Sequence, residues 1–125
     1  MSALPTIGQA LQSFFGGFGI PAYPHTAVPD RAEMPYLTYT PIIGSFFDQA
    51  GIIVNLWYRT ESEAIPNVKA TEIADRLTGG GVMIGCQGGG IWLKRGSPFC
   101  QSLTDDEDNT IKRRYINVTA EFVTA

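Results

Sequence analysis

The sequence predicts one α+β domain, in which a mostly antiparallel, mixed β-sheet packs against two α-helices, with a long loop before the C-terminal strand. Three observations lead to this prediction. The chain has 125 residues, the size of a single domain with one core. Short alternating segments dominate it, and several are joined by glycine-rich connections. Only one helical segment separates the strong strands, which disfavours a doubly wound parallel sheet.

The first helix is predicted just after Pro5. Its apolar side chains recur at the i, i+3, i+4, i+7 spacing that gives a helix one buried stripe. They are Ile7, Ala10, Leu11, Phe14 and Phe18. Gly16 and Gly17 end this helix, which therefore has about 11 residues. Residues 19–35 contain four prolines, so we expect a short extended piece at residues 20–23 followed by a surface loop.

Two strands are predicted in the middle of the chain. Residues 36–40 are rich in aromatic and β-branched side chains, which favours a strand, and Pro41 indicates an edge or a strand end. Residues 52–59 form a stronger strand with two faces. One face carries Ile52, Val54, Leu56 and Tyr58, and the other carries Ile53, Asn55, Trp57 and Arg59. Because both faces bear large side chains, we expect a central strand covered by a helix on one side and by a helix or another subunit on the other.

The second helix is predicted to begin with Ser62 as its N-cap. This start places Pro66 near the end of the first turn, where a proline is tolerated. A start at Thr60 would push Pro66 deeper into the helix. The predicted buried stripe is Ala70, Ile73, Ala74 and Leu77. The glycines at 79–81 end the helix.

The last third of the chain is predicted to contain a hairpin, the long loop and the longest strand. Residues 82–86 and 91–95 are joined by the glycine-rich segment 87–90, which is typical of a hairpin. Residues 96–109 show no period and become polar, so they are predicted to form the loop. Alternation returns at residues 112–123. One face carries Arg114, Ile116, Val118, Ala120 and Phe122, and the other carries Arg113, Tyr115, Asn117, Thr119 and Glu121.

Composition limits the kinds of partner. The chain has 12 acidic and 9 basic residues, a net charge of −3 and a pI near 5.0. Because nonspecific DNA affinity comes mainly from phosphate neutralisation, independent binding to duplex DNA is not expected. No stretch approaches the roughly 18 uncharged apolar residues of a membrane span. Residues 1–5 lack the basic residue of a secretory signal, so we expect a soluble, cytosolic protein without membrane contact.

Metal and nucleophile chemistry are not expected. Cys86 and Cys100 are interpreted as free thiols because the chain shows no secretory signal. His25 is the only histidine and lies in a proline-rich segment, which is a poor support for a zinc site or a catalytic triad. The glycine clusters follow a helix or join two strands, whereas a phosphate loop lies between a strand and a helix. We therefore predict no cofactor, no metal and no enzymatic activity.

Four consecutive acidic residues lie near the end of the predicted loop: Asp105, Asp106, Glu107 and Asp108. A calcium loop needs a glycine at its sharp turn and a later bidentate glutamate, and this segment offers neither at the required offset. Adjacent like charges repel one another and remain hydrated. The run is therefore interpreted as the exposed part of a solvated loop.

Large aromatic rings lie close to arginines along the chain, a composition typical of interface cores. The candidate interface residues are Trp57, Arg59, Trp92, Arg95, Phe99, Arg113 and Tyr115. Each ring taken singly is more often a core residue. Taken together they favour oligomerisation.

Several ordered segments carry a family resemblance. They are IPAY at 20–23, VP at 28–29, MPYLTY at 34–39, VNLWYR at 54–59, GIWLKRGSPF at 90–99 and KRRYINVTAEF at 112–122. In this order and spacing the chain resembles the tail terminator proteins of bacteriophages with long flexible tails, from about Ile20 to its end.

The resemblance implies a small subunit without catalytic residues that forms a six-membered ring. Such a ring caps the finished tail tube, stops its polymerisation and joins it to the head or neck. The implied partners are copies of the chain, the tube protein and a neck protein, with DNA and the tape-measure protein passing through the lumen. The implied location is the virion tail, assembled in the host cytoplasm.

Within such a ring we expect the loop at residues 96–109 to project from the sheet and to become ordered on contact with the tube or neck. Its acidic tip at residues 105–108 would either repel passing DNA or pair with basic residues of a partner. Two other assignments remain open at this point. One is a neighbouring structural part, namely a neck completion protein or the tube subunit, and the other is a small nucleotide-handling enzyme.

Overall fold

A computed structural model describes residues 4–42, 49–104 and 108–124, and it confirms the α+β fold. The elements are α1 (Ile7–Phe15), a 3-10 turn (Gly16–Phe18), β1 (Ala22–Pro24), β2 (Tyr36–Tyr39), β3 (Gln49–Arg59), α2 (Ala64–Arg76), β4 (Val82–Cys86), β5 (Gly89–Thr104) and β6 (Ile111–Thr124). The strands form one sheet in the order β1-β2-β3-β6-β5-β4. Only β1 and β2 pair in parallel, so the sheet is mixed but mostly antiparallel.

The first helix begins where its side chains can cap it. Thr6 accepts a hydrogen bond from the backbone N–H of Gln9 at 3.1 Å, and the Gln9 side chain accepts one from the backbone N–H of Thr6 at 3.0 Å. This capping box satisfies two amides that the helix itself leaves unpaired. The helix ends at Phe15, as the glycines after it predicted.

The second helix begins slightly later than predicted. It starts at Ala64 with Glu63 at the N-cap position. Ser62 still contributes, because its hydroxyl accepts the N–H of Ala64 at 3.2 Å. Pro66 lies buried in the first turn, where its missing N–H breaks no helical hydrogen bond.

The core lies on one face of the sheet. The alternating side chains of β3 (Ile52, Val54, Leu56, Tyr58) and of β6 (Arg114, Ile116, Val118, Ala120) are all buried there. Leu11 and Phe15 of α1 and Ile73 of α2, all 0% exposed, belong to the same cluster. The central position predicted for β3 is confirmed, since β3 lies between β2 and β6.

The predicted long loop at residues 96–109 is wrong for most of its length. Strand β5 continues to Thr104 and pairs with β6 on both sides of a register shift between Arg95 and Cys100. This bulge breaks the two-residue period, which is why the sequence pattern predicted a loop. At the bulge a Cβ on Gly96 would lie 2.7 Å from Asn117 Cβ, so this close approach requires a glycine.

Candidate functional site

The second face of the sheet carries a ladder of aromatic and polar side chains. Tyr36, Trp57 and Arg113 lie directly opposite one another on β2, β3 and β6. Thr38, Asn55 and Tyr115 form the neighbouring row. Both helices pack on the other face, so we call this side the open face.

Contacts within the ladder hold its side chains in place. The guanidinium carbon of Arg113 lies 4.9 Å from the centre of the Trp57 ring, and Arg113 Nε donates a hydrogen bond to Asn55 Oδ1 at 2.8 Å. Trp57 Nε1 donates to Thr38 Oγ1 at 3.2 Å, and the ring stacks near Tyr36 with centroids 6.5 Å apart. A surface whose side chains are already fixed loses less entropy when a partner binds.

The ladder forms the floor of a groove of about 460 Å³, which we call the sheet groove. Its lining residues are His25, Val28, Tyr36, Thr38, Thr40, Ile53, Asn55, Trp57, Arg113 and Tyr115. Ile53 is 38% exposed in this groove, although an aliphatic side chain in the middle of a sheet is usually covered. The groove therefore combines the tryptophan, tyrosine and arginine that dominate binding hot spots with uncovered apolar surface.

Arg113 carries an uncompensated charge within the described residues. Its side chain is only partly exposed, and no carboxylate of residues 4–42, 49–104 or 108–124 lies within ion-pair distance of it. A half-buried guanidinium binds a carboxylate more strongly than a fully solvated one does. The sheet groove is therefore suited to an acidic group that arrives from outside.

Arg59 lies at the rim of the open face and is already paired. Its guanidinium donates to Asp108 Oδ2 at 2.9 Å. Asp108 also accepts from the hydroxyl and the N–H of Thr110. These hydrogen bonds keep the pKa of Asp108 below its usual range. The bond from the Thr110 hydroxyl contributes most, followed by the bond from the Thr110 N–H and then by the bond from Arg59. The other members of the predicted acidic tip, Asp105, Asp106 and Glu107, lie outside the described residues.

Trp92 lies on the open face but at the far end of the sheet from Trp57. Its Nε1 donates to the Gly80 carbonyl at 2.7 Å, and Lys94 Nζ lies 4.1 Å from the centre of its ring. Lys94 also pairs with Glu121 at 3.4 Å. These contacts place Trp92 outside the sheet groove.

Arg95 and Phe99 make their contacts within the subunit, although Arg95 is exposed and Phe99 only partly buried. Arg95 donates two hydrogen bonds to the carbonyl of Ala74, at 2.7 and 3.1 Å, and one to the Thr78 hydroxyl. A cation at a helix C-terminus stabilises the unpaired carbonyls there. Phe99 packs against the core with its ring centre 5.8 Å from the Arg95 guanidinium. Of the seven predicted interface residues, the structure therefore brings only Trp57, Arg113 and Tyr115 together in the groove.

The predicted interface residues do not include Tyr36, Ile53 and Asn55. The signal for them was present, because Ile53 and Asn55 share a strand face with Trp57. Tyr36 could be added only once its register opposite Trp57 was known. His25 and Val28 come from an aperiodic loop, and no sequence pattern placed them beside the sheet.

In the described part of the chain, three or more His, Cys, Asp or Glu side chains nowhere gather as a metal site would require. The helices seen there are also too short or too polar to cross a membrane. Both cysteines are free thiols, with Cys86 buried and Cys100 partly so.

Stability is expected to fall at alkaline pH. Burial raises the pKa of Cys86 and of Tyr39, and burial together with the Glu72 carboxylate raises that of Tyr58. The unfolded chain therefore ionises these groups at lower pH than the folded chain does. The contribution of these three groups to the free energy of unfolding is fully present below about pH 8 and falls as pH rises through the folded pKa values. Thermal melts from about pH 7 to about pH 11 would check this, and a flat melting temperature would contradict it.

Comparison with known proteins found no matching family model, no matching curated protein and no matching solved structure.

Proposed function

We propose that this protein is a structural phage tail terminator. Its copies form a hexameric ring that caps the tail tube, stops tube polymerisation and offers a joining surface to the head or neck. The resemblance of its ordered segments to that family motivates the proposal. The sheet groove, with its partly exposed Trp57, Arg113 and Ile53, is the observation that supports it best, because such a surface suits a protein partner.

A ring needs a subunit with two different binding surfaces. Each contact in a closed ring joins one patch of a subunit to a different patch of the next. A sheet with helices on one face and hot-spot side chains on the other has this two-sided character. The proposed partners beyond further copies are the tail tube protein and a neck protein, with DNA and the tape-measure protein passing through the lumen.

The experiment that tests this function is assembly. Light scattering after size exclusion and electron microscopy of the purified protein should give closed rings that do not stack. Added to unfinished tails of the phage that encodes it, the protein should bind one end and stop further growth of the tube. Growing filaments would indicate a tube subunit instead. The proposal would be overturned if the protein stays monomeric at high concentration and does not bind unfinished tails.

Nucleotides provide a control for the enzymatic alternative. A structural terminator should show the same melting temperature with and without nucleoside triphosphates. A clear upward shift would favour a nucleotide-handling protein, because a ligand that binds the folded state raises its melting temperature.

A further inference from the structure

The outer face of α2 carries apolar side chains that the rest of the described chain leaves uncovered. Val68 is 60% exposed and Ile65 is 50% exposed. A shallow depression of about 430 Å³ runs along this face. It is lined by Ala64, Asn67, Val68, Thr71, Glu72 and Asp75, which we call the α2 stripe. These positions recur at helical spacing, so they form one continuous surface.

The α2 stripe is also acidic. It contains two carboxylates, Glu72 and Asp75, and no basic side chain. Lys69 pairs with Glu72 at 2.9 Å, but Asp75 has no ion-pair partner within the ranges that the structure describes. The stripe therefore ends in a carboxylate that is free to meet a cation.

The sheet groove and the α2 stripe complement each other. The groove offers aromatic rings, Ile53 and the uncompensated guanidinium of Arg113, while the stripe offers Val68 and the carboxylate of Asp75. The groove crosses β2, β3 and β6, whose spacing of about 4.8 Å per strand gives a width of about 10 Å. A helix with its side chains is also about 10 Å across.

Within one chain the two surfaces cannot meet, because α2 packs on the face of the sheet opposite to the groove. We propose that the α2 stripe of one copy docks in the sheet groove of the next, with Asp75 bound to Arg113. Every copy then uses one groove and one helix, which is the head-to-tail contact that closes a ring. This inference rests on the proposed function and names the contact that would build the ring.

Charge exchange between two variants tests the contact. Arg113→Glu places an acid in the groove opposite Asp75, and Asp75→Arg places a cation on the helix opposite Arg113. In either variant alone, every contact brings like charges together. The protein concentration at which half of the subunits are assembled should therefore be about 100-fold higher than for the wild type. Matched controls are Arg31→Glu and Asp30→Arg, the same charge changes on an exposed loop, which should assemble normally.

An equimolar mixture of the two variants gives the sharpest result. When they alternate in an even-membered ring, the introduced glutamate of one variant faces the introduced arginine of the other, and the remaining contacts keep the native pair of Arg113 and Asp75. Assembly should therefore return close to the wild-type concentration. Thermal melts verify that each variant is folded. If Arg113→Glu does not fold, Arg113→Gln replaces it. This variant should weaken assembly, and mixing it with Asp75→Arg should restore assembly only in part, because every second contact keeps the native pair while the others join a neutral glutamine to an arginine.

The outcomes separate this contact from the proposed function. Normal assembly of both single variants, failure of the mixture to recover, or a wild type that remains monomeric would overturn the docking. If wild-type rings cap tails while the exchange has no effect, the docking alone is wrong. If the charge exchange gives the expected result but the rings do not bind unfinished tails, the docking stands and the terminator function is wrong.

Discussion

Phe15→Ala is expected to lower the free energy of unfolding by about 4 kcal/mol. Phe15 is 0% exposed and anchors α1 to the sheet. Its ring stacks on Tyr39 with centroids 4.8 Å apart and meets the edge of Phe14 at 5.2 Å. Truncation removes the apolar transfer energy of the ring and leaves a cavity that this packed core cannot fully close.

The effect should reach the sheet groove through Tyr39. This residue lies on β2 between Thr38 and Thr40, both of which line the groove on the opposite face. Loss of Phe15 removes the support behind this edge of the sheet. Assembly should therefore weaken together with stability.

Urea unfolding followed by circular dichroism would measure the loss. The matched control is Leu4→Ala, since Leu4 is 56% exposed and its truncation should change the free energy of unfolding by less than about 0.5 kcal/mol. A loss below about 1 kcal/mol for Phe15→Ala would show that α1 is not an essential part of the core.

Residue periodicity was sufficient to predict most of the fold. Strand β3 alternates along its predicted range and β6 as far as Ala120, and the predicted inner faces are buried except for Phe122, which is partly buried. Both helices carry an apolar stripe and lie close to their predicted positions. Such local patterns are reliable because burial of one face imposes them directly on the sequence.

Irregular pairing could not be predicted. The bulge after Arg95 shifts the register of β5, so Cys100 pairs with Ile116 where an unbroken register would place another residue. A pattern with a period of two loses its phase at such a point. The parallel pairing of β1 with β2 is equally invisible, because no local pattern records which distant strand an extended segment joins.

Only part of the candidate site could be predicted, because a local sequence pattern does not show the register between strands. Trp57, Arg113 and Tyr115 are predicted by residue type, but only the register of β3 against β6 places Arg113 directly opposite Trp57. Arg95 shares its strand parity with the buried Leu93, which places it on the helix side of the sheet. Residue type alone had suggested an interface for Arg95, and the geometry gives it a capping role at α2.

Arg114→Ala is expected to lower the free energy of unfolding by about 3 kcal/mol. Arg114 lies on the core face of β6, and its side chain is only 3% exposed. It donates to Glu63 Oε2 at 2.6 Å, to Asn67 Oδ1 at 2.9 Å and to the Ser102 hydroxyl at 3.0 Å. These bonds fasten the first turn of α2 to β6 and β5, and alanine replaces all of them with a void.

Arg59→Ala is the informative control because it removes an ion pair of similar length. Arg59 meets Asp108 at 2.9 Å, but its side chain is 58% exposed. Water replaces the lost partner at an exposed site, so the loss should be far smaller than for Arg114→Ala.

A second variant, Arg114→Met, separates charge from packing. Methionine fills much of the same volume without a charge that needs partners, so it should recover part of the lost stability. Urea unfolding of all three variants would measure the differences. Equal losses for Arg59→Ala and Arg114→Ala would mean that burial does not set the strength of these pairs. Since α2 also carries the stripe proposed to dock in a neighbouring groove, loosening its first turn should weaken assembly as well.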